Sequence, residues 1–224
     1  MDWDNIFTDK KSRLIFQVVV GGVLALISFI IFAKLVDSVF EQERLIFDAT
    51  VIDYIYSFRN ISNTKLMFFV SNFGLYGISA LSVIIIILLI LKKQSKLALH
   101  FLFMVGSGIV ANAALKLFVQ RQRPTYLPLA LETDFSFPSG HTMGSFIFFI
   151  ASIYIFYHLT RNKKFTLFFL VIAFVLTFLI GVSRIYLGVH YPSDILGGFI
   201  AGLLWFVGII TTDKIYTLRK LTKT

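Results

Sequence analysis

Six stretches of this 224-residue chain are apolar enough and long enough to cross a lipid bilayer. They run over approximately 14–35, 66–91, 97–118, 139–159, 165–183 and 194–212. About 20 helical residues span the roughly 30 Å of hydrocarbon in a bilayer. The pattern therefore predicts an all-α integral membrane bundle of six transmembrane helices. The fifth stretch is the weakest, being short and ending at Ser183-Arg184. Hydrophobic residues make up 57% of the chain and charged residues only 15%, where soluble domains run near 45–50% and 25%. These runs leave no room for a separate soluble unit, so residues 1–224 read as a single domain. No internal repeat is evident. The absence of cysteine excludes disulfides, thiolate nucleophiles and cysteine-ligated metals. The N-terminal "MDWDNIFTDKKSR" carries three Asp and leads into an apolar run without a small-residue cleavage pattern. That run reads as a retained anchor, not a cleaved leader.

The net charge of +9 raises the question of nucleic acid, and its distribution answers it. Basic clusters lie at Lys10, Lys11 and Arg13; at Lys92, Lys93 and Lys96; at Arg161, Lys163 and Lys164; and at Lys214, Arg219, Lys220 and Lys223. Together they hold thirteen of the 21 basic residues. With six alternating helices, all four fall on one side of the membrane. The positive-inside rule makes that side cytoplasmic and places both termini there. The charge is thus a topology signal and a contact for anionic lipid, with no nucleic-acid partner implied. The three remaining loops face outward. In the first, "RLIFDATVIDYIYSFRN" places Leu45, Ile46, Val51, Ile52, Ile55 and Phe58 at spacings of three and four. That suggests an amphipathic helix lying at the interface.

The other two outward loops hold almost every reactive residue. Lys116 ends the third span, with Arg121 and Arg123 just beyond and Pro124 stopping the helix. "PSGH", residues 138–141, opens the fourth span. "SRIYLGVHYPSD" carries Arg184, His190 and Asp194 across the third outward loop. Alternation brings all three clusters to one membrane face. Lys116, Arg123 and Arg184 supply fixed cations near the interface, where ionisable groups mark function by default. Arginine forks match phosphate oxygens. Pro138, Ser139 and Gly140 form a helix start, with free N–H groups and a helix dipole suited to an anion. Asp194 can accept one imidazole N–H of His190 and leave the other nitrogen free to attack phosphorus. His141 can protonate the departing alkoxide. No metal or other cofactor is required, because the cations and N–H groups stabilise the developing charge.

Three motifs complete the pattern: Lys116, six residues, then Arg123-Pro124; Pro138-Ser139-Gly140-His141; and Ser183-Arg184, five residues, His190, three residues, Asp194. In order, spacing and topology this resembles the type 2 phosphatidic acid phosphatase (PAP2) superfamily, and the small chain resembles its bacterial members. Asn112 and the first outward loop add to that likeness. The resemblance implies that Lys116, Arg123, Arg184 and the Ser139–Gly140 backbone bind phosphate. It implies His190 as nucleophile, Asp194 as its partner and His141 as general acid. The expected activity is hydrolysis of a membrane lipid phosphate through a phosphohistidine. Substrates of the family include phosphatidylglycerol phosphate, phosphatidic acid and undecaprenyl diphosphate. The expected place is a bacterial plasma membrane, with the site on the extracytoplasmic face. Two other readings stay open: a phosphotransferase using the same histidine, and a non-enzymatic protein that binds or transports an anionic lipid.

Singly, each residue has a structural reading. Pro138, Ser139 and Gly140 can be helix punctuation, the arginines interfacial anchors, and Asp194 a helix N-terminal charge. Convergence on one face is what outweighs these. For other residues the structural reading prevails. His100 and His158 read as interfacial or packing residues. Trp3 and Trp205 read as members of interface belts. Gly197, Gly198 and Gly202 read as a close helix contact. Arg121 either touches substrate or merely sits in its loop. Glu132 and Asp134 precede the anion site and read as loop residues that do not help phosphate binding.

Overall fold

A computed structural model describes residues 9–41 and 46–222. Trp3, Leu45 and Lys223 lie outside the described residues. Six helices are long and apolar enough to cross a membrane. They are α1 (Lys10–Phe40), α3 (Ile61–Leu91), α4 (Ser95–Val119), α5 (Gly140–Thr160), α6 (Lys163–Tyr186) and α7 (Pro192–Leu221). A shorter helix, α2 (Ile46–Tyr56), lies between the first two. The chain is therefore a multi-pass membrane protein. Side-chain caps set several boundaries: Asp9 accepts from the Ser12 amide at 2.7 Å and Asn60 from that of Asn63 at 2.8 Å. Asn162 does the same for Phe165 at 3.2 Å. The fifth span departs from its sequence reading. It runs 24 residues and passes through Ser183-Arg184 to Tyr186. The break expected there does not occur, because Arg184 is buried and paired inside the protein and Ser183 bonds back to the Ile180 carbonyl at 2.6 Å.

Burial distinguishes the helices by position. In α5, 39% of the most apolar window is buried, against 11% in α1. Accordingly α5 sits at the centre, packed on α4, α6 and α7. Helix α1 lies along α7, and α3 packs on α4 and α6. Phe101, Met104, Phe148, Ala151 and Ile180 form one buried cluster, and Phe137, Met143, Ile147 and Ala201 another. Phe16, Phe29, Phe168 and Phe174 point outward, which suits a bilayer and would not suit water. The α5–α7 contact depends on Gly198. A Cβ there would lie 2.9 Å from the Ser139 carbonyl oxygen and 2.9 Å from the Thr142 Cβ. This is the close helix contact read from the glycine pattern.

Trp205 differs from its expected place in an interface belt. Its indole N–H donates to Ser107 Oγ at 3.1 Å, and Ser107 lies at the middle of α4. At that depth no water is present, so a protein partner is needed. His100 and His158 do pack, flanking Tyr154 at ring separations of 5.8 Å and 4.7 Å.

The three loop regions at the opposite end from the basic clusters meet. Arg59, just after α2, donates to the Tyr186 carbonyl at 2.6 and 3.0 Å and to the Leu127 carbonyl at 2.8 Å. The Leu129 amide donates to the Leu187 carbonyl at 2.8 Å. Helix α3 also bends its course nearby through one wide π turn, Phe73–Gly77, beside the ring of His141. Such turns often occur at functional sites.

Candidate active site

Helix α4 ends at Val119, where Gln120 adopts a left-handed conformation (φ 52°) and its amide closes onto the Lys116 carbonyl at 2.9 Å. The helix thus stops earlier than Pro124, which the sequence reading made its terminator. This turn throws Arg121 and Arg123 back across the end of the bundle. Lys116, 8% exposed, stays on the last turn of α4. Arg184 arrives from the last turn of α6 and is 4% exposed. Asn112, one turn below Lys116, donates to the Pro138 carbonyl at 3.3 Å. A Cβ at Gly140 would lie 2.9 Å from the Asn112 Oδ1. The Pro138–Gly140 segment is therefore held so close to α4 that a side chain at Gly140 would force Asn112 to shift.

His190 is 2% exposed and sits in the short loop between α6 and α7. Its Nδ1 is 3.1 Å from Asp194 Oδ2, and Arg123 Nη1 approaches its Nε2 at 3.2 Å. A guanidinium only donates, so Nε2 accepts and Nδ1 carries the proton. That tautomer leaves the Nε2 lone pair facing the cations. Burial pushes the imidazole down to about 4. The hydrogen bond and charge of Asp194 oppose the shift, while Arg123 and Arg184 add to it. At neutral pH the ring is neutral, as an attacking nitrogen must be. Asp194 is fully buried and also accepts from the Tyr191 amide at 2.9 Å.

Ser139 departs from its reading as a source of N–H groups for an anion. It is fully buried, and its amide donates to the Asp194 carbonyl at 3.0 Å. Its hydroxyl oxygen caps α5, accepting from the Thr142 amide at 3.4 Å. Ser139 thus welds the start of α5 to the start of α7. The amides of Gly140 and His141 begin α5, where no intrahelical carbonyl reaches them. Both residues line the same cavity as Lys116, Arg123 and His190.

Glu132 and Asp134 correct another reading. They are not bystanders of the loop. Asp134 pairs with Lys116 at 2.8 Å and also with Arg123. Glu132 pairs with Arg184 and lies 3.9 Å from Arg123. All three cations of the proposed phosphate cage thus have carboxylate partners. Burial alone would raise the Asp134 carboxyl, but hydrogen bonds from Lys116 and Arg123 outweigh it and hold the group at about 2. The carboxylates thus occupy the cationic donors that the sequence reading assigned to phosphate. A signal for this was present in the sequence: two acids stand between Arg123 and the Pro138–His141 motif in an otherwise cationic constellation.

Ser71 and Asp48 were not singled out from sequence, and Ser193 was read only as a marker, with Pro192, of the start of the sixth span. Ser71 on α3 accepts from Arg184 Nη1 at 2.7 Å. Asp48 on α2, 5% exposed, accepts from the Ser193 amide and hydroxyl at 2.8 and 2.6 Å. Ser193 itself is buried at the start of α7. Asp48 was visible as the one charged position on the stripe that continues through Ile52 and Ile55. Arg121 resolves to a structural partner of these groups, donating to Ser193, Asp194 and Asp48.

From the cations and histidines a cavity of about 610 Å³ extends down between α3 and α4. Ile78, Val83 and Ile86 form one wall, and Leu102, Val105 and Ile109 the other. A charged head and an apolar body could share this space. Among the described residues, no group of three or more His, Asp or Glu is arranged to hold a metal ion.

Comparison with known proteins agrees with this architecture. Residues 97–215 match the model of the PAP2 superfamily. Over 127 residues the chain is 38% identical to phosphatidylglycerophosphatase B of Bacillus subtilis, covering 56% of this chain and 63% of that protein. Over 105 residues it is 36% identical to the undecaprenyl-diphosphatase BcrC of the same organism, covering 44% and 48%. The chain thus spans less than two thirds of the length of these curated relatives. The crystal structure of a transmembrane PAP2 type phosphatidylglycerolphosphate phosphatase from Bacillus subtilis superposes with a TM-score of 0.74 at 30% identity, covering 84% of this chain and 95% of that one. LpxE of Aquifex aeolicus superposes with a TM-score of 0.57 at 27% identity, covering 76% and 98%.

Proposed function

The chain belongs to the PAP2 superfamily, and from that premise we propose that it is a lipid-phosphate phosphatase working through a phosphohistidine. The whole chain, 1–224, acts as one domain. One observation carries the chemistry: His190 donates its Nδ1–H to Asp194 and turns Nε2 toward Arg123, in a cavity that Lys116 also lines. Substrate phosphate enters the cage by displacing Glu132 and Asp134. Its oxygens take the donors of Lys116, Arg123 and Arg184 and the amides of Gly140 and His141. Arg123 moves from Nε2 to a phosphate oxygen, which frees the lone pair. Nε2 attacks phosphorus, and the bond to the leaving oxygen breaks as His141 protonates that oxygen. Neutral His141 then takes a proton from water, whose oxygen attacks phosphorus. The P–N bond breaks, releasing inorganic phosphate and restoring His190. Asp194 steadies the positive ring in between.

The apolar walls between α3 and α4 suit the tail of a lipid, while the head reaches the cations. The names of the relatives favour phosphatidylglycerol phosphate or undecaprenyl diphosphate as substrate. The distribution of Lys and Arg favours a site on the outer face of a bacterial plasma membrane. The test is phosphate release by purified protein in mixed micelles, comparing those two lipids with phosphatidic acid. His190→Ala should lower release by at least ~10³-fold. His141→Ala should lose about 10²–10⁴-fold on alkyl phosphates and far less on a substrate with a good leaving group. Near-normal turnover by His190→Ala, or equal losses for His141→Ala on both substrate types, would overturn these roles.

A further inference from the structure

Asp194 uses its two oxygens differently. Oδ2 serves His190 and the Tyr191 amide, while Oδ1 accepts from Arg121 Nη1 at 2.6 Å. That second bond is a problem for the chemistry if it stands alone. A guanidinium on Asp194 neutralises it, and a neutralised carboxylate gives little support to a ring that turns cationic when it bonds to phosphorus. The structure supplies the counterweight. Arg121 Nη2 meets Asp48 Oδ2 at 3.0 Å. The Ser193 hydroxyl donates to the same Asp48 oxygen at 2.6 Å and accepts from Arg121 Nη1 at 2.7 Å. Asp48 Oδ1 takes the Ser193 amide at 2.8 Å. The Arg121 guanidinium also lies 4.0 Å over the ring of Tyr191. Arg121 keeps 15% of its side chain exposed, Asp48 7% and Asp194 none.

We propose that Asp48, acting through Arg121 and Ser193, is the positioning residue that holds Asp194 in place and keeps it negatively charged toward His190. The Asp48–Arg121–Asp194 set carries one net negative charge where an Arg121–Asp194 pair would carry none. In a site this dry, an unbalanced charge is felt strongly. Geometry adds a second effect. Asp48 accepts at the N-terminus of α7, one residue before Asp194, so it fixes the helix start on which the carboxylate stands. Helix α2 is thereby more than a float at the membrane surface. It delivers a charge to the site from 73 residues away in sequence from Arg121. The inference rests on the phosphatase reading, since it gives Asp194 a task in supporting His190.

Asp48→Asn keeps the size of the side chain and removes the charge. Partners that orient a working histidine from outside are worth about 10–100-fold in metal sites, and the same order is expected for a nucleophilic one. The variant should therefore lose ~10–100-fold in kcat while KM changes by less than about twofold. Combined with Asp194→Asn, it should add nothing to the loss that Asp194→Asn causes alone. Independently of turnover, the ¹⁵N resonance of His190 Nδ1, assigned by its absence in His190→Ala, should move in Asp48→Asn. Thr50→Ala on the same helix should leave both readouts unchanged. If Asp48→Asn does not fold, Ser193→Ala tests the same link and should lower kcat by several-fold with KM unchanged. Unchanged kcat and resonance in an active protein, or multiplicative losses in the double variant, would overturn the positioning role alone. A resonance that moves in Asp48→Asn, in a protein whose wild-type form releases no phosphate, would instead overturn the phosphatase reading and leave the link intact.

Discussion

At the scale of single residues, His190 shows how one side chain is prepared by three kinds of neighbour. Burial lowers its affinity for a proton, Asp194 raises it again, and Arg123 and Arg184 lower it. The net result is a ring whose folded value, about 4, lies below the 6.5 of an exposed imidazole. The sign for stability follows: between about pH 6.5 and 4 the unfolded chain takes up this proton and the folded one does not. His190 therefore costs stability as pH falls through that window and nothing above it. A ¹⁵N titration of the ring should give a midpoint well below 6.5. In Arg123→Gln the midpoint should rise, because a nearby cation that disfavours protonation is gone. A wild-type midpoint near 6.5, or no rise in the variant, would contradict this account.

At the scale of elements, the segment joining α4 to α5 has two tasks. Ser136 anchors it, its amide donating to the Arg121 carbonyl at 2.8 Å. Glu132 and Asp134 lie over the cations between that anchor and the exposed loop tip. On the proposed reading, each carboxylate competes with substrate phosphate for the same donors. Replacing both with their amides, Glu132→Gln/Asp134→Asn, removes the ionic competitor and keeps the shape. KM for a lipid phosphate should fall by up to several-fold, from the ~0.2–1 kcal/mol that a partly exposed ion pair contributes. Steady-state kinetics in mixed micelles measures it, and a KM that rises would show that the acids help substrate to bind. Helix α2 illustrates the same division. Its apolar residues suit a membrane interface, and Asp48 on the same helix joins it to the start of α7.

At the scale of the whole molecule, every ionisable group that lines the cavity comes from one end of the bundle, opposite the basic clusters. Leu131 stands in the α4–α5 segment with 93% of its surface exposed. A cysteine at that position, Leu131→Cys, should react with a membrane-impermeant maleimide added to intact cells. The chain has no other cysteine to confuse the signal. Labelling only after permeabilisation would invert the orientation.

Much of this was legible in the sequence because a bilayer simplifies the reading. Hydrocarbon admits a chain only as long apolar helices, so six runs of apolar residues fix six spans, and the alternation of spans fixes which loops share a face. Lys116, Arg123, His141, Arg184, His190 and Asp194 could be grouped on that ground alone, and their spacing pointed to the family. What the sequence did not determine was how the loops spend their polar groups. Ser139 looks like an open anion site and instead binds the Asp194 carbonyl. Glu132 and Asp134 look idle and instead cover the cations. Asp48 and Arg121 lie far apart in the chain and meet only because α2 folds over the end of α6 and the start of α7. Periodicity and spacing are local properties, set by a few residues and the solvent around them. Which donor meets which acceptor across loops depends on the path of the backbone between helices, and only the packed structure decides it.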